Sequence, residues 1–253
     1  MSTFSDRLYI STMADDAPEL AARYGLGLEI ADFCTAINMD RLFEEKNAEV
    51  VRKMQCAGRF TFHAAFNELC PAAIDPVVRR HTAARYDQAV ALAGSYGIRK
   101  VIIHTGFIPL VYFPEWFVPE SVKFWKEFLS GVPEDMVLCL ENVMEPGPEI
   151  QAGILGAVDD PRLRACLDIG HANTRISHTP AEKWIDVLSP YLAHLHIHNN
   201  DGDMDLHHPL GQGTMDIAAL LDRTERAAPD ATYAIENLSA GSSLLWLEEH
   251  QYI

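Results

Sequence analysis

The stretch HLHIHNNDGDMDLHHPLGQG, residues 194–213, sets His194, His196, His198, His207 and His208 among Asp201, Asp203 and Asp205. Imidazole nitrogen mixed with carboxylate oxygen, with no thiolate among them, is a donor set that suits Zn²⁺, Mn²⁺ or Fe²⁺. The same residue types recur along the chain at the ends of short apolar runs: Glu29, His63, His104, Glu141, Asp168 and Glu236. Any one of these alone reads as an ordinary hydrogen-bonded residue. Gathered at one level they need compensation, because several carboxylates buried together cost several kcal/mol each in lost solvation, roughly, unless a counter-charge is supplied. A divalent cation supplies it. Asp168 and His171, in DIGHAN, are a turn apart and can point at one centre, while Asp205 and His207 can reach back over the same face from their loop. His196 is expected to point inward, and His194 and His198 toward the surrounding helices as structural residues.

The elements that would position these groups follow from hydrophobic pattern. Runs at 7–13, 26–33, 59–66, 100–107, 136–142, 163–170, 192–199 and 231–238 are rich in β-branched and apolar residues. Several, such as VIIH, VLCLE and ACLDI, are apolar up to a polar last residue, as in strands covered on both faces. Between them lie segments such as VVRRHTAARYDQAVALAGSYG and TPAEKWIDVLSPYL, apolar at three- and four-residue spacing. Asp75-Pro76 and Thr179-Pro180 mark helix starts, and Gly97 and Gly131 mark ends. Eight strands alternating with helices predict an α/β fold, a (β/α)₈ TIM barrel formed as a single domain over residues 1–253. An open doubly wound sheet fits less well, since the glycine-rich phosphate turn after its first strand is missing. In a barrel the polar strand ends meet on one face, where active sites are built.

Composition narrows the class further. A net charge of −16 opposes a general nucleic-acid coat or an anionic-membrane binder. Cys34, Cys56, Cys70, Cys139 and Cys166 are odd in number and widely spaced, which fits a reducing compartment better than a disulfide framework. The N-terminal MSTFSDRLYISTM lacks the apolar centre of a signal peptide, and no run is long enough to span a membrane. The expectation is a cytoplasmic protein whose oligomeric state stays open.

The succession from Asp168 to Gly213, together with VIIHTG, LCLEN and AIEN, resembles the xylose isomerase-like TIM-barrel superfamily, which includes sugar isomerases and epimerases and apurinic endonucleases of the endonuclease IV type. The resemblance implies one of two metal sets. In the endonuclease branch His63, His104 and Glu141 would hold one ion. Glu141 would bridge to a second ion held with Asp168, His196 and Glu236, and His171, Asp205 and His207 would hold a third. In the epimerase branch a single ion would sit among Glu141, Asp168, His196 and Glu236, with Glu141 and Glu236 as acid and base and His171 touching substrate oxygens.

Each branch has departures. The epimerase pattern expects a glutamate where Gly147 stands, flanked by Glu145 and Glu149, and an arginine where Gly202 stands. Asn199 replaces an aspartate usual among relatives. A DNA-bending enzyme needs cationic and wedge residues in its mouth loops, yet AAFNELCPAAID, TGFIPLVYFPEW and NNDGDMD contain no Lys or Arg. The reading is therefore a divalent-metal-dependent isomerase or epimerase, with one to three Zn²⁺ or Mn²⁺ ions, acting on a sugar, sugar phosphate or sugar-like polyol by carboxylate proton transfer. The partner is a small carbohydrate-like molecule rather than nucleic acid or membrane. The alternatives are a multi-zinc phosphodiesterase and a barrel that binds metal or ligand without turnover. His171, Glu29 and Trp116 are expected to contact substrate, Trp116 from the aromatic segment FIPLVYFPEWF, which could equally pack a helix onto the barrel.

Overall fold

A computed structural model describes residues 3–253. Its eight strands are β1 Leu8–Ser11, β2 Gly27–Ile30, β3 Phe60–His63, β4 Lys100–His104, β5 Val137–Glu141, β6 Leu163–Asp168, β7 Leu192–Ile197 and β8 Thr232–Ile235. All neighbours are parallel, and β8 pairs with β1 to close the barrel. Each of the eight predicted segments contains one of these strands. The predicted helices form as α1 Ala17–Tyr24, α3 Phe43–Met54, α4 Pro76–Ser95, α5 Pro114–Leu129, α6 Glu149–Val158, α7 Ala181–Leu188, α8 Ile217–Ala227 and α9 Gly241–Glu249, with a short additional turn, α2 Ala36–Met39. At the start of α4 the Asp75 carboxylate accepts from Val77 N–H at 2.7 Å, and Pro76 takes the first helical position. Among the described residues no helix is long and apolar enough to cross a membrane.

Strand alternation divides the residues into two populations. Outward positions, including Ile10, Leu28, Phe62, Ile103, Leu140, Leu167, Ile197 and Ile235, join one apolar cluster with helix residues such as Trp125, Trp184, Leu220 and Leu244. Inward positions carry a small separate apolar layer, Ile102, Cys139 and Cys166. Most of the other inward positions are polar. Residues two apart on a strand share a face, and this corrects one expectation: His194, His196 and His198 all face the barrel interior, none the helices. Between Leu192 and His194 the register with β6 shifts, so Ala193 has no partner opposite. The β1–β8 seam is fastened by Arg7, whose guanidinium pairs with Glu225 through both nitrogens at 2.9 and 2.5 Å and donates to Ala231 O at 2.8 Å.

Candidate metal centre

At the C-terminal mouth the last inward residues of β5, β6 and β7 converge with the residue that follows β8. Glu141, Asp168, His196 and Glu236 each offer a ligand atom, and these atoms all lie within 4.8 Å of one another. His196 Nδ1 is 3.0 Å from Glu141 Oε1, 3.6 Å from Glu236 Oε1 and 3.8 Å from Asp168 Oδ2. The second oxygen of Glu141 meets His63 Nε2 at 3.2 Å and His104 Nε2 at 3.3 Å. Glu141 and His196 are both common to two adjoining groups, one with His63 and one with Asp168 and Glu236.

Backbone chemistry explains the alignment. Asn142 donates to Asp168 O at 3.0 Å and accepts from Asp168 N–H at 2.9 Å, so one amide locks the ends of β5 and β6. The turn after β6 bends back because His171 N–H donates to Asp168 Oδ1 at 2.7 Å. In the sequence Asn142 stands out only as part of the LCLEN motif. Its signal is an amide directly after a strand-end carboxylate.

The outer group differs in one member from the sequence expectation. His198, Asp205 and His207 have ligand atoms within 4.8 Å of one another. His171 joins from the side, its Nε2 at 3.2 Å from Asp205 Oδ2. His207 Nε2 is 3.0 Å from the same oxygen. His198, placed inward by strand period, sits 3.1 and 3.2 Å from the two Asp168 oxygens and stacks on His207 at 4.1 Å. Gly170 makes room for it: a Cβ there would fall 1.9 Å from His198 Cε1. The loop carrying Asp205 is held by Asn199, whose amide donates to Leu210 O at 3.0 Å and Met215 O at 3.2 Å. An aspartate could not donate either bond. Gly213 passes close by with φ +153°, and a Cβ on it would lie 2.2 Å from Asn199 Oδ1.

Two expected substrate contacts fall elsewhere. Glu29 is fully buried, its carboxylate set against His194, His196 and Thr61 rather than in the cavity lining. Trp116 donates its indole N–H to Ala72 O at 3.2 Å and packs its helix against a neighbouring loop. The rest of that segment lines a separate groove of about 370 Å³ with Met144, Pro146 and Arg175. Nor does Glu145 replace the glutamate missing at Gly147. It is buried, and its oxygens accept from Thr105 Oγ1 and Val143 N–H.

The cavity over the metal residues measures about 350 Å³ and is lined by Ser11, Met13, Ala31, Cys34, Phe66 and Val143 as well as His63, His104, Glu141, His171, Asp205, His207 and Glu236. Burial and the nearby Glu236 and Asp32 carboxylates push the Cys34 thiol up to about 11, which disfavours its thiolate. Among the charged groups, burial works against ionisation but neighbours override it. His196 and His104 hold Glu141 well below the usual carboxylate range, and His171 and His198 lower Asp168. Glu236 is raised by burial, reinforced by the charges of Glu141 and Glu29. His171 and His196 are raised well above the ordinary imidazole range despite burial, by the acidic groups around them. A cation bound to these imidazoles would compete with their protons. The buried His, Glu and Asp clusters fit a metal site.

Known proteins place this geometry in context. The chain is 29% identical over 188 residues to the uncharacterised protein MJ1311 of Methanocaldococcus jannaschii, a match covering 69% of this chain and 63% of that protein's length. It superposes on a D-tagatose 3-epimerase-like protein with a TM-score of 0.72 at 23% identity, covering 97% of this chain and 96% of the other. With TTHB071 protein of Thermus thermophilus, soaked with ZnCl₂, the TM-score is 0.73 at 25% identity, covering 97% of both chains. With IOLI protein carrying a bound zinc atom it is 0.71 at 17% identity, covering 97% and 94%. Residues 18–240 match the family described as xylose isomerase-like TIM barrel, and with the closed barrel and its clustered strand ends this chain belongs to that family.

Proposed function

We propose that this barrel is a divalent-metal-dependent isomerase or epimerase of a small, uncharged sugar or sugar-like polyol. The observation that carries the reading is the carboxylate–imidazole cluster of Glu141, Asp168, His196 and Glu236 under a cavity of about 350 Å³ whose lining contains no Lys or Arg. That volume is at the low end for small-molecule sites, about 300–1,000 Å³. A phosphorylated sugar would bring two negative charges into a carboxylate-rich cavity with no protein cation to receive them, so the unphosphorylated form is favoured. The epimerase-like and zinc-bearing proteins of the same fold support the metal-dependent isomerase or epimerase reading.

A cation held by Glu141, Asp168, His196 and Glu236 supplies Lewis acidity toward substrate oxygens. The chain's own residues do the rest. Met13, Phe66 and Val143 offer apolar surface to the C–H faces of a sugar, while His104 and His171 line the polar side of the same cavity. One of the two glutamates, Glu141 or Glu236, removes the proton from the carbon beside the carbonyl, and the other returns a proton. Both carboxyl groups line the cavity, so a proton taken up by one exchanges with solvent and both return to their starting states between turnovers.

The test is incubation with ketoses, aldoses and inositol-like polyols in heavy water with Mn²⁺ or Zn²⁺. One substrate takes up deuterium at carbon, and Glu236→Gln abolishes the uptake while weakening substrate binding far less. A second reading, a multi-zinc phosphodiesterase, draws on one observation: His63, His104, His171, Asp205 and His207 line the same cavity, enough donors for further ions. Chelator-sensitive nicking of duplex DNA at abasic sites without any carbon–deuterium exchange would replace the first reading with the second.

A further inference from the structure

Beneath the metal residues, polar side chains form a continuous column along the barrel axis. Lys100 Nζ donates to Thr232 Oγ1 at 2.6 Å and to Ala193 O at 2.9 Å, the carbonyl of the residue left over by the register shift in β7. Thr232 Oγ1 meets His194 Nδ1 at 2.6 Å. His194 Nε2 lies 3.0 Å from Glu29 Oε2, which also accepts from Thr61 Oγ1 at 2.9 Å. Glu29 Oε1 is 3.0 Å from His196 Nε2, an ion-pair contact. Neither of these last two atoms has a hydrogen-bond partner, and both residues are fully buried.

The donor and acceptor rules determine the direction of this column. A carboxylate only accepts, so each imidazole nitrogen facing Glu29 carries its proton. For His194 this is Nε2–H, leaving Nδ1 to the Thr232 hydroxyl, whose oxygen is already accepting from Lys100. For His196 it is also Nε2–H, and the nitrogen turned toward Glu141, Asp168 and Glu236 is Nδ1.

We infer that Glu29, braced by His194 and Thr61, is a positioning residue that holds His196 as its Nε2–H tautomer with the Nδ1 lone pair offered to the metal. The inference rests on the metal reading of the site and not on the identity of the substrate. Metal-bound histidines generally donate their second N–H to a fixed acceptor, and loss of that acceptor typically costs about 10–100-fold in metal affinity or activity. Glu29, His194 and His196 also bring three donor atoms within 4.8 Å. The Thr61 and His194 hydrogens already occupy one Glu29 oxygen, however, and protons on the two imidazoles account for the spacing without an ion.

Glu29→Gln separates the role from mere packing, since it keeps the shape and removes a buried charge. Its amide oxygen would stay with Thr61 and His194, which turns the NH₂ toward His196 Nε2. That forces the proton onto Nδ1, the nitrogen the metal needs. Calorimetric titration of the chelated, refolding-competent protein with Zn²⁺ should show the affinity of Glu29→Gln about 10–100-fold below wild type. Thr61→Val, which leaves both Glu29 oxygens in place, should change it less than about threefold, within the worth of one hydrogen bond. A folded Glu29→Gln with wild-type affinity overturns the inference. ¹⁵N spectra of zinc-loaded wild type, with His196 assigned by its loss in His196→Asn, test it without the Glu29 variant. A proton on Nε2 is expected, and a proton on Nδ1 refutes it. A wild-type chain that takes up no cation removes the metal reading and this inference together.

Discussion

The two faces of the same eight strands obey opposite rules. Outward, Leu8, Ile10, Leu28, Ile30, Phe62 and their counterparts meet the helices in one continuous apolar shell. Inward, apart from the small layer of Ile102, Cys139 and Cys166, the strands carry Glu29, Thr61, His63, Glu141, Asp168, His194, His196 and Thr232. The shell stabilises by removing apolar area from water, about 25 cal/mol per Å². The interior contributes little of this kind, and its buried carboxylates are tolerated only because imidazoles, hydroxyls or a cation satisfy them. Stability and chemistry therefore occupy alternate residues of the same short segments. An outward residue can be changed without touching a metal donor one position along the strand, a rise of about 3.3 Å.

The comparison is broken most severely on the outside. Trp184 on α7 is fully buried, with its indole N–H on Ser177 Oγ at 3.2 Å. Trp184→Ala should cost about 3–5 kcal/mol in denaturant unfolding while leaving zinc stoichiometry in the folded fraction at the wild-type value. On the inside the effects are reversed. Glu141→Ala should weaken metal binding by more than about a hundredfold, the loss of about 2.7 kcal/mol, as measured by elemental analysis after purification without chelator. Its metal-free unfolding midpoint should move less than that of Trp184→Ala.

The smallest effect sharpens the contrast by pH. In protein stripped of metal, the Asp205 carboxylate outweighs burial and raises His207 to about 9, above its ordinary 6.5. A raised histidine means that the folded state holds a proton the unfolded state releases. The stabilisation is fully present below about 6.5 and is lost as pH rises through about 9. Unfolding midpoints of the metal-free protein should show this decline, and Asp205→Asn should flatten it. No equivalent slope belongs to the apolar shell.

Much of this architecture is legible in the chain because strands covered on both faces read as apolar runs ending in a polar residue. VLCLE and ACLDI declare both the element and the mouth-facing group, and the structure does bring Glu141 and Asp168 together with His196 and Glu236. What is not legible is depth. Glu29 occupies a strand-end position like the others, yet its carboxylate is fully buried among Thr61, His194 and His196 and is not part of the cavity lining. The facing of His194 and His198 follows from the two-residue period of β7 and is open to correct reading. Trp116 is a different case, since an aromatic residue beside a mouth loop serves packing and binding with the same composition, and only its bond to Ala72 O decides between them.

The axial column also says something about how the molecule comes into being. Glu29 and His194 are 165 residues apart in sequence, and the remaining donors are spread from β3 to the end of β8. No local piece of the chain can assemble this centre. The contacts that build it carry the full loop-closure entropy of the long intervening chain, which makes them slow relative to helix formation. Pairing of β8 with β1, fastened by Arg7 and Glu225, leaves the sheet with no open edge. Glu236 lies just beyond that last strand. The four-donor geometry of Glu141, Asp168, His196 and Glu236 therefore exists only in the closed ring.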